Sequence, residues 1–298
     1  MPQVYRIHHV SALGGNAQEI VDFHRNVLGI ELIKATVNYA NKNMYHLFFA
    51  NHGADSMGAM TYFDFSGHRD NPEEGGGQAG VTAYRVPKTT LPYWKERLES
   101  HGIKVKENKL FLKDTLEFKD NYGIPLAIVE GEEHYDSPMI YDFHGIELKS
   151  TDYKSTADHL EQFMGMNKVD ETDDYIYFQT LNDYQLVIIK KVDRQRRMIG
   201  IGGVDHVAFE IGDKNELLEW RHYLTENGFE NTDLTNQNFK KATYYREPGR
   251  VRFELITKGL GDMISPESNG ELGNEVVIPS HFKNEEEEIR KNLAPLKL

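Results

Sequence analysis

Residues 6–29 read RIHHVSALGGNAQEIVDFHRNVLG: a short apolar run, paired glycines, then a segment whose Ile20, Val21, Phe23, Val27 and Leu28 fall at helical spacing before Gly29. A strand that enters a helix ending on glycine is a common unit, but here it returns. GVTAYRV (80–86) leads into LPYWKERLESHG, HGIELKS (144–150) into a helix ending TADHLEQFMG, and VDHVAFEI (204–211) into ELLEWRHYLTENG. Each helix is followed by three segments with strand-like alternation, in the first copy ELIKATVNY, MYHLFFAN and GAMTYFDF and in the fourth ENTDL, ATYYREP and VRFELITK. Aligned on their first strands, the four copies place His9, Thr82, Gly145 and His206 at matching positions.

A βαβββ module presents an apolar sheet face that it cannot cover alone, so modules must pair, and a curved sheet shared by two modules encloses a cavity. The expected fold is therefore α+β, with four βαβββ modules forming two pseudo-barrel domains of curved mixed sheet. Read along the chain, this divides into an N-terminal module pair (4–135), a C-terminal pair (143–260) and a tail (261–298). DNPEEGGGQAG (70–80) reads as a flexible seam between modules one and two, HYDSPMIYD (134–142) as the seam between halves, and the tail, ending in NEEEEIRKN, as a solvated helix.

Composition removes several function classes. The chain has 298 residues and a formal net charge of −13, with a single short basic stretch at DRQRRM (193–198), so a phosphate-backbone binder is excluded. With no cysteine, thiolate chemistry and sulfur-ligated metals are out, and any metal must be held by His, Asp or Glu. No apolar leader and no long apolar run are present, so the chain reads as a cytoplasmic protein that neither spans nor binds a membrane. GxSxG, GxxxxGK[ST] and strand-following GxGxxG motifs are also missing.

Repeat position singles out the ligand candidates among 13 histidines. Only copies one and four carry histidine at the matching first-strand position, His9 and His206. In the last strand of the fourth copy, GRVRFELI, Glu254 stands where the second copy has Ile128 and the third has Val187 and Ile188. A carboxylate between Phe253 and Leu255 in a strand facing inward is unfavourable unless it is paired or metal-bound; the alternative is the exposed side of an edge strand. His9, His206 and Glu254 make a 2-His-1-carboxylate set, whose donors suit Fe(II) and leave positions open for substrate and dioxygen; Mn(II) is also compatible. Zinc hydrolases with similar donors use HExxH spacing, which is missing here. His8 and Asp205, each just before a ligand, reach the site only where the strand bulges. One of Tyr244 and Tyr245 must face the cavity by alternation, either to manage a substrate proton or simply to pack.

These residues, with RIHHVSALGG, LIKATVNY, YHLFFAN, HYDSP, GVDHVAFEI and ATYYREPGRVRFELITKGLG, resemble the vicinal-oxygen-chelate (glyoxalase/bleomycin-resistance/extradiol dioxygenase) superfamily. Within it the resemblance is to hydroquinone-type ring-cleaving dioxygenases of the MhqA/MhqO type, and it spans essentially the whole chain. It implies iron ligands at His9, His206 and Glu254, an active-site tyrosine at Tyr244 and a supporting histidine at His8. Related sequences often have histidine where Asp205 stands. The resemblance also implies that modules one and four build the metal cavity. The implied function is Fe(II)-dependent, extradiol-type ring cleavage of hydroquinone or catechol aromatics with O2, in quinone and aromatic detoxification. The partners implied are a small aromatic substrate and O2, with oligomeric state, including a homo-oligomer, left open. Two alternatives are a glyoxalase-like metal-dependent lyase or isomerase, which would want a further carboxylate ligand where GAMTYF stands, and a metal-free aromatic-binding protein.

Overall fold

The computed structural model describes residues 3–51, 58–65, 73–182, 185–195, 199–237, 240–258 and 273–298. The repeat is realised four times. Module one comprises β1 (Arg6–Gly14), α1 (Ala17–Asp22), β2 (Glu31–Val37), β3 (Tyr45–Ala50) and β4 (Ala59–Asp64). Module two has β5 (Gln78–Val86), α2 (Leu91–Ser100), β6 (Lys106–Leu110), β7 (Lys113–Lys119) and β8 (Pro125–Glu130). Module three has β9 (Asp142–Ser150), α3 (Tyr153–Asp158), β10 (Asn167–Glu171), β11 (Tyr175–Gln179) and β12 (Leu186–Lys191). Module four has β13 (Val204–Ile211), α4 (Lys214–Glu226), β14 (Thr235–Gln237), β15 (Lys240–Arg246) and β16 (Arg252–Thr257). The strand expected at ENTDL thus comes later, at β14, and only Asn231 of that stretch bridges to Tyr245.

Local chemistry sets the helix limits. Asn16 and Asp213 cap α1 and α4, their side-chain oxygens accepting from two backbone amides each. Helix α1 widens into a π-helical turn over Phe23–Leu28 that stops at Gly29, whose left-handed φ of 65° a side chain would resist.

The strands form two curved mixed sheets, and the α+β architecture is the expected one. Sheet one runs β14-β15-β16-β13-β1-β4-β3-β2, extended at its β2 edge by β17 (Val276–Val277) from the tail; sheet two runs β10-β11-β12-β9-β5-β8-β7-β6. Modules one and four therefore share sheet one, joined by the antiparallel pair β1–β13, and modules two and three share sheet two, joined by β5–β9. Each sheet draws on both 4–135 and 143–260, and the segment near 134–142 separates consecutive modules rather than sheets. The convex faces and the helices bury one continuous core in which Val10, Phe209 and Phe253 meet Tyr84, Phe143 and Phe178. A buried ion pair between Arg6 of β1 and Asp142 of β9, at 3.0 Å, ties the sheets together.

Two stretches read as flexible are held. Gly76 bridges to Gln195, and Gly77 donates its amide to the Lys149 carbonyl at 2.8 Å. The tail, described from residue 273, docks on module one through α5 (Glu286–Asn292), whose Ile289 packs with Val37 and Ile278; the expected solvated helix buries an apolar side.

The helical segments also carry two buried histidines. His24 donates to the Ile20 carbonyl at 2.8 Å and stacks on Phe49, and His159 meets the Tyr245 hydroxyl at 2.9 Å. Burial lowers the His24 imidazole to about 4 and that of His159 to about 3. Both are neutral when folded, so their contribution to stability is complete above the unfolded value of 6.5 and is lost as pH falls from there towards 4 and 3. Urea titrations should show the midpoint falling below pH 6, these two histidines each adding a limiting slope of about 1.4 kcal/mol per pH unit.

Candidate metal centre and its pocket

The β1–β13 seam opposes His9 to Ala208, Val10 to Val207 and Ser11 to His206, with register shifts between Ile7 and His9 and between Ser11 and Ala12. The parallel pair β13–β16 sets Glu254 beside Ala208, and the antiparallel pair β15–β16 sets Tyr244 beside Glu254. His9, His206, Glu254 and Tyr244 thereby share the concave face of sheet one.

Three ligand atoms meet there in a triangle. His9 Nε2 and His206 Nε2 lie 3.2 Å apart, and each is 3.0 Å from Glu254 Oε2. Among the described residues this is the one group of His, Cys, Asp or Glu side chains placed to hold a metal ion. All three residues are buried, and Glu254 Oε1 has no hydrogen-bond partner. Burial works to raise the Glu254 carboxyl, but the two imidazoles overcome it and hold it well below the usual carboxylate range. Burial likewise opposes charge on His206, and its bonds to Asp205 and Glu254 win, pushing it up to about 9. The donors demand a shared positive charge, and a divalent cation satisfies three inward-facing lone pairs better than a proton does. Donors bound at about 2.0–2.2 Å with right angles at a cation stand about 3 Å apart, whereas tetrahedral angles spread them to about 3.4 Å. The observed separations of 3.0 to 3.2 Å are those of three donors that can share one cation, and the residues fit a metal.

Residues beside the ligands orient them. His8 Nδ1 lies 2.9 Å from His9 Nδ1, and Asp205 Oδ2 accepts from His206 Nδ1 at 2.7 Å and from Arg252 Nη1 at 2.9 Å. Occupying Nδ1 of each ligand histidine directs its Nε2 into the triangle. The two register shifts in β1 bracket His8 and face Asp205, which is how residues adjacent to the ligands reach the same site. Tyr244 packs edge-on against His206 at 5.3 Å beneath the Arg252 guanidinium, 4.6 Å from its ring, whereas Tyr245 points into the core.

The pseudo-symmetry of sheet one also identifies the fourth position. In module four the strand residue two beyond His206 faces Glu254; in module one the residue two beyond His9, Ser11, faces Thr61. Thr61 therefore occupies the place of a second carboxylate. Its hydroxyl and that of Ser11 lie 2.7 Å apart, and Ser11 Oγ is 2.9 Å from His206 Nε2.

Among the described residues sheet two has no such centre. Its concave face carries Val81, Ala83, Ala127 and Ile188, filled by Phe111. The equivalent of His9 is thus Val81 rather than Thr82, because a register shift between Ala79 and Thr82 offsets β5 by one residue; Ile128 faces the core for the same reason. A Cβ on Gly145 would lie within 3.0 Å of the Phe111 ring.

The triangle opens into a cavity of about 420 Å³ walled by Phe48, Phe63, Tyr244 and Arg252 and by the loop between β2 and β3. One wall residue escaped the sequence reading. His46 lies against Phe48 and Phe63, with ring centroids 4.1 and 4.3 Å away, and its buried Nε2 has no hydrogen-bond partner. Burial, reinforced by the charges of His9 and His206, holds its imidazole well below 6.5 and hence neutral. The signal available was a lone polar residue in the apolar strand YHLFFA.

The glyoxalase/bleomycin resistance protein/dioxygenase superfamily model matches residues 6–128. MhqO of Bacillus subtilis (strain 168), assigned as a ring-cleaving dioxygenase, is 32% identical, the match covering 98% of this chain and 96% of that one. The chlorohydroquinone/hydroquinone 1,2-dioxygenase of Sphingobium indicum is 24% identical, covering 98% and 96%. A crystal structure of a protein assigned as a dioxygenase from B. subtilis superposes with a TM-score of 0.91 at 31% identity, covering 100% of this chain and 99% of that one. Glyoxalase I from Zea mays shares the fold, with a TM-score of 0.65 at 12% identity over 85% of this chain and 92% of that one.

An unpartnered buried nitrogen is destabilising, so His46→Phe, which keeps the aromatic packing, should raise the urea midpoint, by about 1 kcal/mol in stability.

Proposed function

Because the chain belongs to the glyoxalase/bleomycin resistance protein/dioxygenase superfamily, we propose that it is a non-heme Fe(II)-dependent, extradiol-type ring-cleaving dioxygenase acting on hydroquinone-type aromatics. The observation that carries this reading is the buried triangle of His9, His206 and Glu254, with threonine rather than carboxylate at the fourth position. The names of the relatives supply the substrate class.

Iron(II) held by these three residues would supply adjacent open positions for a phenolate and O2. The chain's own residues would do the rest. Asp205 and His8 keep the ligand imidazoles in the tautomer that presents Nε2. Phe48 and Phe63 offer a flat apolar wall to an aromatic ring and keep water from it. Tyr244, on the His206 side, and His46, on the opposite wall, stand where one group accepts the substrate's hydroxyl proton and another returns a proton as the ring opens. In the overall reaction both atoms of O2 enter the ring as the carbon–carbon bond beside a hydroxyl breaks.

Thr61 separates this reading from a lyase or isomerase of the glyoxalase kind, whose metal takes a further carboxylate. With three protein donors, room remains for two exogenous ligands.

Protein stripped with chelator and reconstituted anaerobically with Fe(II) should take up oxygen on adding methylhydroquinone. His9→Ala should lose both metal and turnover, His8→Ala should keep metal and lose rate, and Asp205→Asn should weaken metal binding about 10- to 100-fold. Thr61→Glu should retain the metal yet lower oxygen uptake at least about tenfold, since the new carboxylate competes for an open position. Fully metallated protein that leaves hydroquinones and catechols alike untouched would overturn the assignment.

A further inference from the structure

The C-terminal segment packs against a wall of the pocket that is a loop rather than a strand. Asn38, Tyr39, Ala40, Asn41 and Met44, in the loop between β2 and β3, line the cavity. Inside the loop, Asn38 Oδ1 accepts from the Ala40 and Asn41 amides at 2.9 and 3.0 Å, turning the chain but not anchoring it to the body of the protein. The anchors come from the tail. Strand β17 pairs in parallel with β2, Val276 against Ala35 and Val277 against Thr36, and Thr36 Oγ1 donates to the Val277 carbonyl at 2.7 Å. His281 Nε2 lies 3.0 Å from the Tyr39 carbonyl oxygen, and its ring packs on that of Tyr39 with centroids 4.3 Å apart. Lys42 Nζ is gripped by Glu285 at 2.5 Å and Glu288 at 3.2 Å. At the far end of the loop, the Tyr45 hydroxyl donates to the Ala294 carbonyl at 2.7 Å.

We propose that this segment is a specificity-determining part of the active site: His281, Glu285 and Glu288 act as positioning residues that fix the Tyr39–Met44 lip and so set the size of ring the pocket accepts. Two contacts from outside hold the loop itself, at Tyr39 and Lys42, and two more hold the strands at its ends, while the other side of the loop faces the cavity. Among the described residues the tail lines no part of that cavity, so His281, Glu285 and Glu288 influence substrate through the lip. The proposal rests on the pocket taking an aromatic ring, as argued above.

The test uses the full-length, metal-loaded protein with His281→Ala, the double variant Glu285→Gln/Glu288→Gln, and His281→Gln, which keeps a donor for the Tyr39 carbonyl. Glu287→Gln is the control, since Glu287 makes no ion pair among the described residues. Hydrogen exchange of the Tyr39–Asn43 amides should quicken at least about fivefold in the first two variants. Anaerobic calorimetry should show methylhydroquinone binding weakened about three- to tenfold while tert-butylhydroquinone changes less than about twofold, narrowing the preference between them. His281→Gln should recover part of both effects, and metal content should not move. Unchanged exchange, an unchanged preference, or no binding of either ring to the unaltered protein would each overturn the proposal. Oxygen uptake by the unaltered protein reports separately on the dioxygenase reading, which can fail while exchange and binding still decide the role of the tail.

Discussion

The antiparallel seam between β1 and β13 is the constraint on which the site depends. It joins the first module to the last and sets Ser11 against His206, which brings His9 diagonally across the strands to 3.2 Å from His206. Its register shifts relax strict alternation, so that neighbours in sequence, His8 with His9 and Asp205 with His206, become neighbours at one centre. A regular ladder would have turned His8 and Asp205 to the opposite face and left the ligand imidazoles without fixed tautomers. Glu254 then follows from the parallel β13–β16 register with no further adjustment.

The repeat was legible in the sequence because each module must bury an apolar sheet face and stop its helix, and both demands leave periodic marks. The candidate ligands were legible because they are polar residues at positions where the other modules are apolar. The alignment failed by one residue in module two, at Thr82 and Ile128, since a backbone bulge leaves no mark in composition. Tyr244 and Tyr245 were inseparable until the β15–β16 register was known, because a one-residue shift exchanges the two faces. His46 was passed over as a single histidine among many, its meaning resting on a missing partner that only three dimensions reveal. In the tail, acidic NEEEEIRKN masked the apolar residues Ile289 and Leu293, a single pair at helical spacing, and Ile278 lies outside the helix.

The two sheets show one module used in two ways. In sheet two the concave face is closed by Phe111, carried on a turn where Phe111 and Leu112 both adopt left-handed backbone with φ of 54° and 61°. Such strain in non-glycine residues is kept where surrounding packing enforces it, and here it delivers an aromatic plug. Sheet one forgoes the plug and retains His46 Nε2 and Glu254 Oε1 without hydrogen-bond partners. Beneath both faces lies one shared core, where both sheets press on the same side chains.

The pairing of first module with last also sets a timetable. Ser11 and Thr61 are 50 residues apart, but His9 and His206 are 197 apart, and Glu254 comes later still. At a synthesis rate of roughly 5–20 residues per second, a ribosome needs on the order of ten seconds or more to travel from His9 to Glu254. Sheet two, built from consecutive modules, has all its strands once β12 has been made, so the growing chain holds a platform onto which the outer modules later fold. Until β13 is made no pair of the three donors is together, and a chain released before β16 lacks the carboxylate that completes the triangle. The complete triangle is thereby confined to molecules whose synthesis has passed β16.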